Sequence, residues 1–403
     1  MSVTFQDIEA ARRRIENAVK RTPCSPSQWM SDVVGAEVFL KLENLQRTGS
    51  FKERGALNRL LLLSDDDKKR GVIAASAGNH AQGLALHAAQ LGVKATIVMP
   101  EGTPLIKVAR TQQFGAKVVL SGQSYEEAYQ TACDIRDAEE LFFVHAYDDE
   151  AVIAGQGTIG LELIEQNPYL EAVVVPVGGG GLISGVAVAM KKVHPHVRII
   201  GVESAVLPSM KASVEAGELV TLPPQSTIAD GIAVGKVGER PFHLAKDLVD
   251  DFVTVDDDEI ARAILFLLER EKTVAEGAGA AGVAALLSKK VKDLAGKRVC
   301  AIVCGGNIDV NIISRIIERG LAESGRLARL DVTIHDAPGA LSDMLGTLAK
   351  ARANVVEVHH ERAFVGGALN EVAVEVVIES KGHSHVDDVI AALEAAGYRA
   401  KRS

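Results

Sequence analysis

Eight short apolar runs, alternating with segments of helical length, constrain the fold of this chain more than any other feature. VFLKL (38–42), VIAAS (72–76), ATIVMP (95–100), KVVLS (117–121), FFVHA (142–146), AVVVPV (172–177), RIIGVES (198–204) and RVCAIVC (298–304) read as buried strands. Between them AQGLALHAAQLG (81–92), YEEAYQTACDIRDAEE (125–140) and EIARAILFLLEREK (259–272) carry apolar residues at helical spacing. Such alternation predicts β-α-β units, mostly parallel sheets and helices on both faces. Ligands of these sheets bind beyond the carboxyl ends of the strands.

The C-terminal quarter breaks the pattern. LAESGRLAR (321–329) is short and polar and is expected to be a linker. Residues 330–403 then read strand, helix, strand, strand, helix, an α+β module of about 75 residues. At the other end, MSVTFQDIEAARRRIENAVKRTP has helical periodicity without the apolar core of a signal peptide, so a retained helix is expected.

Charge and cysteine content narrow the class of function. With 44 Lys+Arg against 53 Asp+Glu, the net charge of −9 argues against binding nucleic acid or an anionic membrane surface. Residues 172–190 hold no charge, nearly a membrane span in length. Pro176 and four consecutive glycines would leave backbone groups unpaired in lipid, so a buried strand, a turn and a buried helix are expected. Cys24, Cys133, Cys300 and Cys304 form no CxxC pair and read as reduced thiols of a cytoplasmic protein.

Four motifs follow predicted strands and carry chemistry. Lys52, in GSFKERGALNRL, directly follows Phe51 at a predicted helix start, where the positive end of the helix dipole disfavours an ammonium. Asn79 opens a helix in SAGNHAQG, three residues after Ser76; free N–H groups there suit a carboxylate, and the amide suits a phenolic oxygen. An ordinary N-cap would use the same residues. Gly178, Gly179, Gly180 and Gly181 lie between a strand and a helix starting at Leu182, where backbone donors can cradle a phosphate. Cys304 precedes Gly305-Gly306-Asn307; a thiol facing a pyridine nitrogen donates weakly. Together these suit pyridoxal phosphate, bound through a Schiff base to Lys52. A dinucleotide fold is the rival, with Glu203 as ribose-binding acid, but Ser184 stands where its third glycine belongs.

With these residues in hand, residues 5–320 resemble the threonine/serine dehydratases (ammonia-lyases) of the tryptophan-synthase-β, or type II, pyridoxal-phosphate fold. SFKERGA, SAGNHAQG, AGQGTIGLE (154–162), PVGGGGL, TIADG (227–231) and CGGN carry the likeness. It implies two doubly wound domains over residues 1–320, the smaller and mobile one inserted at about 54–153. Lys52 would be the Schiff-base lysine and Phe51 and Gly231 would flank the ring. Asn79 would hold the ring hydroxyl, Gly178 to Leu182 the phosphate, and Cys304 the ring nitrogen. Ser76, Ala77, Gly78, Asn79 and His80 would grip the substrate carboxylate, with Lys52 and Ser76 catalytic. Glu203 matches a ligand for a monovalent or divalent cation in some relatives.

Residues 330–403 resemble an ACT domain, on Asp336-Ala337-Pro338-Gly339, Ala353-Asn354-Val355 and His360-Glu361-Arg362. That implies control by a small amino acid, isoleucine or valine, at Asp336, Gly339, Ala340 and Asn354, in a homodimer or homotetramer. The expected activity is dehydration of L-threonine to 2-oxobutanoate and ammonia, and of L-serine to pyruvate, as a first step of isoleucine synthesis. Serine racemases of this fold carry a serine where Ala77 stands, which favours dehydration over racemisation. A racemase, a hydroxyaspartate dehydratase, an NAD-dependent dehydrogenase and a non-catalytic amino-acid sensor are the alternatives.

Overall fold

The computed structural model describes residues 3–361 and 370–403. The chain forms two compact units, Met1–Ile308 and Asp309–Ser403. The first opens with α1 (Phe5–Ile15), where reciprocal bonds between Thr4 and Asp7 close the N-terminus and Ile8, Ala11 and Ile15 make one buried stripe. β1 (Cys24–Pro26), α2 (Gln28–Val34), β2 (Glu37–Leu42) and α3 (Lys52–Leu61) follow. The chain then builds a separate sheet from β3 (Val72–Ala75), β4 (Ala95–Met99), β5 (Lys117–Leu120) and β6 (Phe142–Phe143). Helices α4 (Asp65–Arg70), α5 (Asn79–Gln90), α6 (Leu105–Gln113) and α7 (Tyr125–Glu139) surround those strands. α8 (Glu150–Gln166) returns the chain to the first sheet.

That sheet is completed by β7 (Ala172–Pro176), β8 (Arg198–Ser204), β9 (Asp251–Val255) and β10 (Arg298–Val303). Between them run α9 (Gly181–Val193), α10 (Ser209–Ala216), α11 (Glu239–Leu248), α12 (Asp257–Glu269) and α13 (Gly277–Leu287). The strand order is β1-β2-β10-β7-β8-β9, parallel except for β1 against β2; the smaller sheet, β5-β4-β3-β6, is wholly parallel. Every residue of β3, β4 and β7 is buried, as strands covered on both faces must be. All eight expected strands are present. β1 and β9 were not anticipated; β1 has three residues ending in a proline, and β9 is a five-residue strand with a mixed burial pattern. Residues 172–190 fold as β7, the glycine turn and most of α9; among the described residues no helix is long and apolar enough to cross a membrane.

Four buried charges tie α3 to the rest of the unit. Arg54 donates to Glu43 (Nε–Oε2 2.9 Å, Nη2–Oε1 2.8 Å) and through Nη1 to Glu162 Oε1 at 2.6 Å. Lys41 of β2 reaches Glu162 Oε2 at 2.5 Å, Thr22 O at 2.7 Å and Gln166 Oε1 at 2.9 Å. The arginine therefore links the end of β2 to α8 across α3. Paired guanidinium and hydrogen bonds offset the desolvation of both carboxylates, and Glu43 stays below its usual range beside Arg54 despite burial.

The second unit contains α14 (Val310–Glu323), β11 (Leu327–His335), α15 (Ala340–Lys350), β12 (Asn354–Glu361), β13 (Glu371–Glu379), α16 (His383–Ala395) and β14 (Arg399–Arg402). Its sheet, β12-β13-β11-β14, is antiparallel throughout, the order of a ferredoxin-like β-α-β-β-α-β unit. In β11, Ala328, Leu330, Val332 and Ile334 point into the core and alternate with polar residues. β14 was not foreseen. The stretch 321–329 is not an open linker: α14 runs on to Glu323 and β11 starts at Leu327. Its polar letters belong to exposed faces of regular elements. Of the run His360-Glu361-Arg362, Arg362 lies outside the described residues.

Candidate active site

Lys52 is the first residue of α3, and the turn before it is fastened to the end of β10. Phe51 N donates to Cys304 O at 3.1 Å, and Ser50 bridges to Gly305. Glu53, fully buried, accepts from Thr48 N and faces His87 Nε2 of α5 at 3.5 Å, which fixes the same turn from below. Lys52 Nζ donates to Ala146 O at 2.9 Å and lies 5.2 Å from the Phe51 ring centre. Its surface is partly open, yet the surrounding protein desolvates the ammonium and lowers its pKa to about 8; Cys304 and Glu276 oppose the shift. Burial, rather than the helix dipole expected from sequence, is the leading cause.

Asn79 begins α5 directly after β3. The N-cap is Gly78, and no side chain caps the helix; Ser76 Oγ instead accepts from Gly78 N at 3.3 Å. The ordinary capping arrangement is thus absent, and the first-turn amides have no side-chain acceptor. The Asn79 side chain is held at both ends: Nδ2 donates to Glu276 Oε1 at 2.6 Å, and Oδ1 accepts from Asn307 Nδ2 at 2.8 Å. Asn307 also donates to Thr48 O at 2.6 Å, so the asparagine network reaches the lysine turn. His80 contributes little through its ring, which is buried against Val144 O at 3.0 Å with its pKa lowered by burial to about 3. Ala77 packs on the core of the smaller sheet.

The four glycines form the turn from β7 into α9. Gly180 has φ +93°, a left-handed conformation that a side chain strains. A Cβ on Gly179 would collide with the Tyr147 ring, so the turn is walled on that side. Tyr147 is itself held by donating from its hydroxyl to Lys236 O at 3.2 Å. Gly231 lies beside the same turn, for a Cβ on Gly178 would come 3.2 Å from Gly231 O. Cys304 ends the neighbouring strand, and burial, with the Glu276 charge, pushes its thiol well up, so it stays protonated. The lysine, asparagine, glycine and cysteine motifs therefore meet around the carboxyl ends of β2, β3, β7 and β10.

Comparison with known proteins agrees with this geometry. Residues 15–305 match the family described as pyridoxal-phosphate dependent enzyme. The chain belongs to that family. An L-threonine ammonia-lyase of Thermotoga maritima is 49% identical over 399 residues, 99% of each chain. Processed threonine deaminase isoform 2 of Solanum lycopersicum is 38% identical with a TM-score of 0.74, over 78% of this chain and 86% of that one. Maize serine racemase is 35% identical with a TM-score of 0.76, over 80% and 99%.

The donor set fits the cofactor of a pyridoxal-phosphate dependent enzyme. An amine with lowered pKa, a glycine turn at the N-terminus of a 13-residue helix and an amide with one hydrogen to spare are the groups it needs. One member of the site escaped the sequence reading. Glu276, buried at the N-cap of α13, touches Asn79, and a Cβ on Gly305 would strike its carboxylate. Its signal was a single acid before the helix GAGAAGVAALL, buried from Gly277 to Leu286, where water cannot solvate it.

Other predicted residues lie apart. Glu203 Oε1 accepts from Met210 N at 2.7 Å and Oε2 from Lys211 N at 2.8 Å, closing the N-terminus of α10. Burial raises its pKa to about 7 against those two amides. Among the described residues no group of three His, Cys, Asp or Glu side chains is placed to hold a metal. In the second unit, Asp336 to Gly339 form the turn into α15, Gly339 with φ +90°, and Ala340 begins the helix. Asn354 is at the opposite end of the sheet: it pairs with Glu379, which faces Leu327, whereas the turn follows His335.

Proposed function

We propose that this protein is an L-threonine ammonia-lyase that also accepts L-serine, yielding 2-oxobutanoate or pyruvate with ammonia. The observation that carries the chemistry is Lys52, its amine lowered to about 8, among the asparagine loop, the glycine turn and Cys304. The full-length likeness to the Thermotoga maritima protein supports the substrate.

Lys52 would hold the aldehyde end of the cofactor, Phe51 and Gly231 the two ring faces, Asn79 the phenolic oxygen, Gly178 to Leu182 the phosphate, and Cys304 the ring nitrogen. Bound there, pyridoxal phosphate supplies a carbonyl for the substrate amine and an electron sink for the bond to Cα. The uncapped first turn of α5, with Ser76, orients the substrate carboxylate. Lys52 Nζ takes the proton from Cα, for which a pKa near 8 suits a base at neutral pH. The protonated Cys304 thiol is a weak donor, so charge at Cα is short-lived and departure of the β-hydroxyl is favoured. Ala77 offers no hydroxyl to return a proton from the other face. Racemisation is the second reading, supported by the likeness to maize serine racemase and opposed by Ala77.

The second unit is read as an ACT-type regulatory domain. Isoleucine, with valine as antagonist, would bind at Asp336, Gly339 and Ala340. Asn354, at the far end of its own sheet, would join them from another copy, which makes a homodimer or homotetramer part of the reading. The free cysteines support a reducing, cytoplasmic setting.

The test is oxo-acid formation from L-threonine and L-serine, each with and without isoleucine, with D-serine measured in parallel. Rapid 2-oxobutanoate release, absent in Lys52→Ala, is the expected result. D-serine without oxo acid would replace the proposal by the racemase reading.

A further inference from the structure

Glu276 is the buried acid of the cleft to which no step above gives a task. It is 5% exposed and sits where three motifs meet. Its Oε1 accepts the Asn79 amide, and its backbone N–H donates to Gly305 O at 3.1 Å. A Cβ on Gly305 would meet the carboxylate, and one on Gly231 would lie 3.7 Å from Oε1. Glycine at position 305 leaves room for this side chain, whereas at 231 the contact would be an ordinary one.

The bond to Asn79 decides how that amide is turned. The ionised carboxylate only accepts, so in that form the Asn79 nitrogen faces Glu276 and its oxygen faces Asn307 Nδ2. One amide hydrogen is consumed, and the second is left in a fixed direction for a ligand oxygen. Without Glu276 only Asn307 Nδ2 would hold the amide, at its oxygen end, and the nitrogen end that serves the ligand would lose its fixed acceptor. Asn307 is itself held by Thr48 O, so Asn307 and Glu276 grip the amide from its two ends, and Glu276 is the grip on the nitrogen.

We propose that Glu276 is a positioning residue that acts through Asn79, fixing the amide hydrogen that the cofactor's phenolic oxygen receives. The inference rests on the cleft being the cofactor site, and it deepens that reading by naming what orients its asparagine. Charged and titratable groups around the carboxyl are Asp230 and Lys107, paired at 2.5 Å, together with Lys52 and Cys304. Burial leads Asp230 in raising the Glu276 pKa to about 7, while the bond from Asn79 and the charge of Lys107 pull it down.

The experiment is a double-mutant cycle on the holoenzyme: wild type, Glu276→Gln, Asn79→Ala and the double variant. Two readouts are taken, the rate of pyridoxal phosphate release after dilution and the pH midpoint of the visible absorbance. Glu276→Gln keeps the shape but places an amide nitrogen against donor groups, so release should quicken roughly tenfold or more and the midpoint should move. Once Asn79 is alanine, adding Glu276→Gln should change neither by more than about twofold, because the two act as one unit. Unchanged release and midpoint in Glu276→Gln, or effects that multiply fully in the double variant, would overturn the role. If Glu276→Gln does not fold, Glu276→Asp is used, one methylene short of Asn79, under the same criteria. A wild-type protein with no visible band would overturn the cofactor reading together with this one.

Discussion

The Lys52 amine is held at a pKa of about 8 by desolvation, against the pull of Cys304 and Glu276. At pH 7 about one amine in ten is then neutral, rising to about nine in ten at pH 9. Cofactor-free protein should therefore capture pyridoxal phosphate about tenfold faster at pH 9 than at pH 7, then level off. Stopped-flow absorbance checks this; a rate still climbing through pH 10 would mean a solvated lysine. The stability sign follows from the same shift. The unfolded lysine, near 10.5, holds its proton longer, so the cost of burying the ammonium is full below pH 8 and fades between 8 and 10.5. Lys52, Asn79 and the glycine turn were legible because each announces itself within a few neighbouring letters. Glu276 was not, because its meaning depends on Asn79 and Gly305 from other parts of the chain.

Helix α3 carries the lysine, and its placement depends on Arg54 two residues further on. Arg54 is fully buried between Glu43 and Glu162, so removing it leaves Glu43 buried without a cation and Glu162 with Lys41 alone. Arg54→Ala should cost about 3–5 kcal/mol in equilibrium denaturant unfolding. A loss below about 1 kcal/mol would mean that water reaches the acids. The sequence shows a helix with its apolar stripe but not this ionic anchor, since its partners come from β2 and α8. Element ends were harder to read than element existence. The polar run from Leu321 to Arg329 looked like a linker because α14 and β11 both expose one face, and only the alternation of Ala328, Leu330, Val332 and Ile334 marks a strand.

At the scale of the whole molecule, two contiguous units divide the proposed tasks. Deleting residues 326–403 should leave threonine turnover within about threefold and abolish any isoleucine response, since no residue of the proposed cleft lies beyond Asn307. Inhibition that survives the deletion would move the effector site into the first unit. The sheet order of that unit has a consequence for how it is made. β2 ends at Leu42 and its partner β10 begins at Arg298, so β2 must wait for about 250 residues of synthesis. At ribosomal speed that is roughly 10–50 s during which β2 has only short β1 beside it. An unpaired hydrophobic edge invites association with other nascent chains, and a lysine in the strand is a device that discourages it. Lys41 stands near the end of β2, opposite Ile302, and its carboxylate partner Glu162 belongs to α8, which is made long before the late strand.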